Sequence, residues 1–382
     1  MRKICLALLV LLVSSVVAYK TVRGQNSPAV FTIPIYAQYT TNSLLRPSAV
    51  YISPTNPNYL FIADSGHNQI DVFNAGSLQI LAGDGNAGNQ DGTLASARFN
   101  IPTGISGWGF IQRCVGVPCT PTVNLDLIVV DAGNNAVRRI CRIYSIGNPF
   151  VPPTCPATGV VTSSGGQSGY QDGTGAQARF SYPSSFGSSY TLQGQLIADL
   201  GNNALRSVDI TGNTVQTVIS SNTPGYLNGP LANALFRGIT SMTATPDSSL
   251  LTDSGNFVVR KLDQSNNVTT FAGNGIQGYV DGPANSAEFA MPLSIKYNAA
   301  DGNTYVADAL NNCIRRIDPA GNVSTYAGQA NGGLQDGSNS QAMFSHPTSI
   351  AISNGFMYVA DENNNAIRRI DMTNNVVSTL IH

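Results

Sequence analysis

Thr304-Tyr305-Val306-Ala307-Asp308-Ala309-Leu310-Asn311-Asn312-Cys313-Ile314-Arg315-Arg316-Ile317 reads as two apolar strands joined by a turn. Val, Ile and Tyr fill both arms, while the Asn residues between them tolerate positive φ and satisfy backbone donors, so the segment predicts a hairpin. The first arm recurs as Phe61-Ile62-Ala63-Asp64, Ile128-Val129-Val130-Asp131, Leu196-Ile197-Ala198-Asp199, Leu250-Leu251-Thr252-Asp253 and Tyr358-Val359-Ala360-Asp361, which makes six copies. Seven residues after five of these Asp residues stand Arg138, Arg206, Arg260, Arg315 and Arg368; the first copy has Asp71 instead.

A second element recurs between the hairpins, running from Asp91-Gly92 to Phe99, Asp172-Gly173 to Phe180, Asn228-Gly229 to Phe236, Asp281-Gly282 to Phe289 and Asp336-Gly337 to Phe344. Pro102, Pro183, Pro292 and Pro347 follow closely in four cases. An alternating strand such as Val268-Thr269-Thr270-Phe271-Ala272 precedes the element, and a short strand such as Thr348-Ser349-Ile350-Ala351-Ile352 follows it. Each repeat thus holds four antiparallel strands and cannot bury both faces alone. Radial stacking of six such units predicts an all-β, six-bladed β-propeller over residues 45–382.

The "Tyr-Val-Ala-Asp, Asn-Asn, Ile-Arg-Arg-Ile" hairpins of residues 305–317 and 358–370, with Val323-Ser324-Thr325-Tyr326-Ala327-Gly328, resemble the NHL repeat family. The resemblance covers nearly all of the chain after its first segment. It implies a propeller used chiefly as a recognition platform, with a minority of related six-bladed propellers acting as enzymes.

Composition narrows the partners. The 382 residues carry 20 Lys and Arg against 21 Asp and Glu, a net charge of -1, with only 11% charged residues. That balance excludes the basic footprint of a nucleic-acid binder. With 42% hydrophobic residues, 15 Tyr and 14 Phe, disorder is excluded as well.

Residues 1–18 predict a signal peptide: Arg2 and Lys3 precede the apolar run from Ile4, and small residues lead to Ala18. The run is shorter than the roughly 20 residues that span a bilayer. Cleavage predicts a secreted chain without a membrane span; an uncleaved anchor is the alternative. Residues 19–44 form an N-terminal segment in which Val30 to Ala37 reads as a spare outer strand that could clasp or extend the last blade.

The hairpin Asp residues lie 67, 68, 54, 55 and 53 apart, which places two insertions in blade two, at about residues 107–122 and 142–159. In an antiparallel blade both emerge on one face. Cys114, Cys119, Cys141 and Cys155 lie in or beside them, and in a secreted chain this predicts two disulfides of open connectivity, with a zinc site as the alternative. Cys313 reads as a buried inert thiol. Asn267-Val268-Thr269 and Asn322-Val323-Ser324 are glycosylation sequons at c–d turns, on the same face as the insertions. The opposite face would stay open.

A catalytic site needs no sixfold repeat, so the Asp and Arg sets read as turn capping and blade-to-blade pairing. Residues that vary carry more information. Those entering the innermost strands, Arg46, Asn100, Tyr182, Arg237, Met291 and His346, are expected to encircle one mouth of the central channel. Arg46, Asn100, Tyr182, Arg237 and His346 could bind an anionic or polar group. Calcium would need converging oxygens, and zinc would need histidines beyond His67, His346 and His382. No metal or cofactor is therefore expected. The sequence reads as a non-enzymatic binding scaffold for an extracellular protein or glycan. The alternative is a lyase or hydrolase with its site at the channel mouth.

Overall fold

The computed structural model describes residues 43–53, 57–112, 122–146, 159–189, 192, 195–209, 213–220 and 223–382. The signal segment and the spare strand Val30 to Ala37 lie outside them, as do Cys114, Cys119 and Cys155.

Six antiparallel sheets follow one another along the chain. From inside outward (a to d), blade one is Pro47–Ile52, Leu60–Asp64, Gln69–Asn74 and Ser77–Ala82. Blade two is Pro102–Gln112, Thr122–Asp131, Ala136–Ile146 and Gly159–Gly165. Blade three comprises Pro183–Gly187, Gln195–Asp199, Ala204–Asp209 and Thr214–Ser220. Blade four comprises Ile239–Ala244, Ser249–Asp253, Val258–Leu262 and Asn267–Ala272. Blade five is Pro292–Tyr297, Thr304–Asp308, Cys313–Ile317 and Asn322–Gly328. Blade six is Pro347–Ser353, Phe356–Asp361, Ala366–Asp371 and Val376–Ile381.

The expectation of four strands per blade needs one addition. In blades three to six the Asp-Gly element adds a two-residue fifth strand outside strand d, at Gly173–Thr174, Gly229–Pro230, Gly282–Pro283 and Gly337–Ser338. The Asp side chains of these elements cap the same edge, as when Asp281 Oδ2 accepts from the Thr325 N–H and Asp336 Oδ2 from the Thr379 N–H. An open strand edge invites pairing with other chains, and here it is covered.

The insertions of blade two are partly strand. Strand a runs on to Gln112 and strand b begins at Thr122, so the two pair across residues expected to loop out. The remaining stretches, at 113–121 and 147–158, lie outside the described residues.

Both faces of the inner strands are apolar because each blade is sandwiched between two others. Phe61 and Ala63 pack toward Ile105, Leu127 and Val129 of blade two, while Leu60 and Ile62 pack toward Ala351, Ala360 and Ile367 of blade six. The core is therefore distributed over the six seams between blades. At the closing seam the Val50 N–H donates to Ser349 Oγ, and Thr348 Oγ1 donates to the Ser48 carbonyl. No blade is completed by a strand from elsewhere in the described chain.

Candidate functional site at the channel mouth

The framework of the mouth is the repeated Asp and Arg set. In blade five Arg315 Nη1 donates to Asp308 Oδ2 at 3.1 Å and to the Glu288 carbonyl, while Nη2 donates to Asp281 Oδ1 at 2.6 Å and to the Val280 carbonyl. Its guanidinium lies between the rings of Tyr279 and Phe289, 5.2 and 5.1 Å from their centroids. Asn311 Nδ2 donates to Asp308 Oδ2 and to the Gly278 carbonyl, which ties the b–c turn to the Asp-Gly element and puts both on one face. The turn-capping expectation is corrected: Asp308 accepts from the Asn311 side chain and from the Ala290 and Met291 N–H groups, and from no backbone N–H of its own turn. The ion pairs, too, are made inside one blade rather than between blades, because Asp308, Arg315 and Asp281 all belong to blade five.

Blade-to-blade linkage falls to another residue of the turn. Asn68, Asn135, Asn203, Asn312 and Asn365 close their b–c turns at positive φ. Their Oδ1 atoms accept the N–H of the residue entering the next blade: Ile101, Tyr182, Gly238, His346 and Arg46. Those five entering residues also have positive φ. Blade four has Phe257 in place of Asn, and the Met291 N–H turns instead to Asp308 Oδ1. Met291 alone of the six has no positive φ.

This register corrects the expected ring. Arg46, Tyr182 and His346 occupy equivalent positions, whereas Asn100 and Arg237 sit one residue earlier, where their N–H groups donate to Asp131 and Asp253. The true equivalents are Ile101 and Gly238. The constant step of three from Phe99 to Pro102, Phe180 to Pro183 and Phe236 to Ile239 carries that register in the sequence.

At the mouth the structure brings together Arg46, His346 and a residue the sequence did not single out, Glu362. Arg46 Nε and Nη2 donate to Glu362 Oε1 at 3.0 and 2.8 Å, and His346 Nδ1 meets Oε2 at 2.9 Å. Glu362 is 1% exposed, although Arg46 is 45% exposed. The phenol of Tyr182, from blade three, feels the charges of both Arg46 and Glu362, and burial pushes it up to about 12. Glu362 follows the repeated Asp, at the position filled by Ser65, Ala132, Leu200, Ser254 and Ala309 elsewhere. One acid among five small or apolar residues was the available signal.

Glu362 takes the acceptor role that the sequence reading gave to an incoming anion. Removing it should create an anion site: Glu362→Gln is expected to show a larger rise of melting temperature with added sulfate than the parent protein. Equal sulfate responses would show that Glu362 does not neutralise the mouth. Among the described residues no cluster of three or more His, Cys, Asp or Glu side chains is arranged to hold a metal ion.

The remaining expected sites are scattered. Cys141 is buried at the start of the extension of strand c in blade two, and Cys313 is a buried free thiol that burial pushes well above its usual value. Asn267 and Asn322 open strand d of blades four and five, half-buried and exposed respectively.

No protein-family model matches the chain. The chain is 26% identical to human NHL repeat-containing protein 2 over 97% of its own length and 53% of that protein, and 25% identical to the chicken protein of the same name over 94% and 51%. The chain is an NHL-repeat β-propeller. It is also 28% identical to Protein SUPPRESSOR OF QUENCHING 1, chloroplastic, of Arabidopsis thaliana, over 87% of the chain and 31% of that protein. The propeller thus spans a third to a half of the length of the curated relatives it matches. Its fold is similar to that of an auxiliary nutrient binding protein from Bacteroides thetaiotaomicron, with a TM-score of 0.57, 14% identity and coverage of 88% of this chain and 70% of that one. A second auxiliary nutrient binding protein, from Bacteroides ovatus, gives 0.53, 15%, 89% and 70%. Among the described residues no helix is long and apolar enough to cross a membrane.

Proposed function

We propose that the propeller is a secreted, non-enzymatic scaffold that binds an extracellular protein on the face carrying the channel mouth and the Asp-Gly elements. The observation that carries this is an exposed apolar patch on that face. Tyr226 and Leu227 of blade four and Ile276, Tyr279 and Val280 of blade five are 42% to 61% exposed. They form one surface, because the Tyr226 ring lies 3.7 Å from where a side chain on Gly275 would begin. Leu310, in the b–c turn of blade five, adds a further half-exposed side chain. Contiguous apolar surface of this kind marks interaction sites on soluble proteins. The relatives and fold neighbours named above agree with a binding role in general.

The opposite face is the one that would carry glycans on Asn267 and Asn322 and the disulfide-bearing inserts of blade two. Support for oxidised inserts is the position of Cys141, buried in strand c of blade two beside the second insert. The leader of residues 1–18 supports secretion.

Affinity capture with the propeller as bait tests the reading, paired with the variant Ile276→Asp. Ile276 is the most exposed of the patch and its side chain carries none of the repeated framework. Partners held by the parent protein should be lost by the variant, and hydrogen exchange of the complex should shield residues 225–228 and 275–280. Shielding confined to residues 107–159 would overturn it. The alternative, a lyase or hydrolase at the channel mouth, is favoured by the Glu362 and His346 pair beside Tyr182, and stoichiometric metal in purified protein would turn the assignment toward it.

A further inference from the structure

On the outer wall between blades five and six lies a cleft of about 470 Å³, within the range of small-molecule sites. Arg316, Thr325 and Tyr326 of blade five form one side, and Asn339, Ser340 and Asn375 of blade six the other. Asn339 occupies the fourth position of the Asp-Gly element, where the other elements have Leu94, Gly175, Leu231 and Ala284. Leu94 and Leu231 there plug the seams of blades two and four. Blade six has replaced the apolar plug by an amide that is only 8% exposed.

That amide is half satisfied. Asn339 Nδ2 donates to Asn375 Oδ1 at 3.3 Å, but its Oδ1 is buried without a partner, and so is Arg316 Nε. A buried amide oxygen and a buried guanidinium N–H are both costly to leave unpaired, so their presence in the wall of a cleft points to a ligand that supplies both partners. A hydroxyl group does so, since it donates to Oδ1 and accepts from Nε. Tyr326 adds an aromatic edge, with its ring 4.9 Å from that of Tyr305. The single cation of the lining is offset by Asp301 and Asp371, whose charges act on Tyr326 from outside. One cation against two acids leaves no net positive charge at the cleft, which disfavours an anion. An extended peptide is disfavoured too, because the strand edge beside it already donates its Thr325 N–H to Asp281.

We propose that this cleft binds the end of a neutral oligosaccharide, with hydroxyl groups seated between Asn339, Asn375 and Arg316 and a ring edge against Tyr326. The site is separate from the apolar patch and does not depend on it.

The test is calorimetry and saturation-transfer NMR with maltose, cellobiose, lactose and N,N′-diacetylchitobiose, with tetra-alanine as a peptide probe. At least one disaccharide should bind the full chain, tetra-alanine should not, and Asn339→Leu should weaken binding at least tenfold. That variant restores the residue used in blades two and four, so it should fold with an unchanged or higher melting temperature. Arg316→Gln should weaken binding several-fold. Failure of all four sugars to bind, binding of the peptide alone, or equal binding by a folded Asn339→Leu protein would overturn the proposal.

Discussion

Replacing Arg315 by methionine is expected to lower the unfolding free energy by about 3–5 kcal/mol, the usual cost of leaving a buried charge without its partner. Arg315 and Asp308 are both fully buried. Methionine would fill much of the volume between Tyr279 and Phe289, yet it would take the guanidinium donor from the Glu288 and Val280 carbonyls and leave the buried Asp308 carboxylate without its opposite charge. Lysine should rescue little, because a point charge cannot span the two arms that the planar fork reaches. The outer arm matters less. Asp281 is about half exposed, so Asp281→Ala should cost roughly 1 kcal/mol or less, plus the lost cap on the Thr325 N–H. Urea unfolding of the three variants checks the order. If Arg315→Met costs no more than Asp281→Ala, the inner pair is not the anchor of the blade. Arg138, Arg206, Arg260 and Arg368 make the same inner pair, and the same ranking should hold in their blades.

The legibility of this network has a geometric cause. Asp308 pairs across the hairpin with Cys313, so a residue two further along strand c stands on the same face of the blade, and the spacing of seven follows. A repeated hydrogen-bond requirement leaves a repeated residue, and a repeat is what a single sequence can display. The six blades, their order and the Asp-Gly elements were legible for that reason. Glu362 was not, since its partner Arg46 lies 316 residues away and meets it only when blade six closes on blade one. Asn339 was equally silent. It departs from the apolar plug of Leu94 and Leu231, but those residues read as ordinary loop members until packing shows what they fill. The expected ring misses the register at Asn100 and Arg237 because variation between repeats does not show the backbone N–H bonds that define equivalence.

Blade one breaks the Asp and Arg rule, and its exception yields the second large effect. Asp71 lies across from Ile62 just as Arg315 lies across from Val306, so a carboxyl group occupies the seat of the guanidinium. Its Oδ1 accepts from Gln69 Nε2 at 2.9 Å, while Oδ2 is buried without a partner. Asp64 stands beside it and is itself held by His67 Nδ1 at 2.7 Å and by the Leu45 N–H. Burial, and then the neighbouring Asp64 charge, push Asp71 well above the ordinary value of 3.8. Two buried carboxylates in contact cannot both ionise cheaply, so the pair retains a proton.

The sign of the linkage follows. Above pH 3.8 the unfolded chain releases the Asp71 proton while the folded chain keeps it, so this group's contribution is complete below that value and is lost as pH rises through the folded value. Asp71→Asn removes the titration and keeps a polar planar group whose amide can donate to Asp64. Each tenfold difference in proton affinity between the folded and unfolded chain is worth about 1.4 kcal/mol, so the variant should be more stable than the parent protein at pH 8 by roughly 1–3 kcal/mol, with the difference vanishing near pH 4. Urea unfolding at pH 4, 6 and 8 reads both the size and the slope. A variant that is less stable at pH 8, or that keeps the parent slope, would show that blade one stores no such proton. A gain would show that the departure from arginine costs the fold stability at neutral pH, and that blade one is held in the ring by its seams with blades two and six rather than by an ion pair of its own.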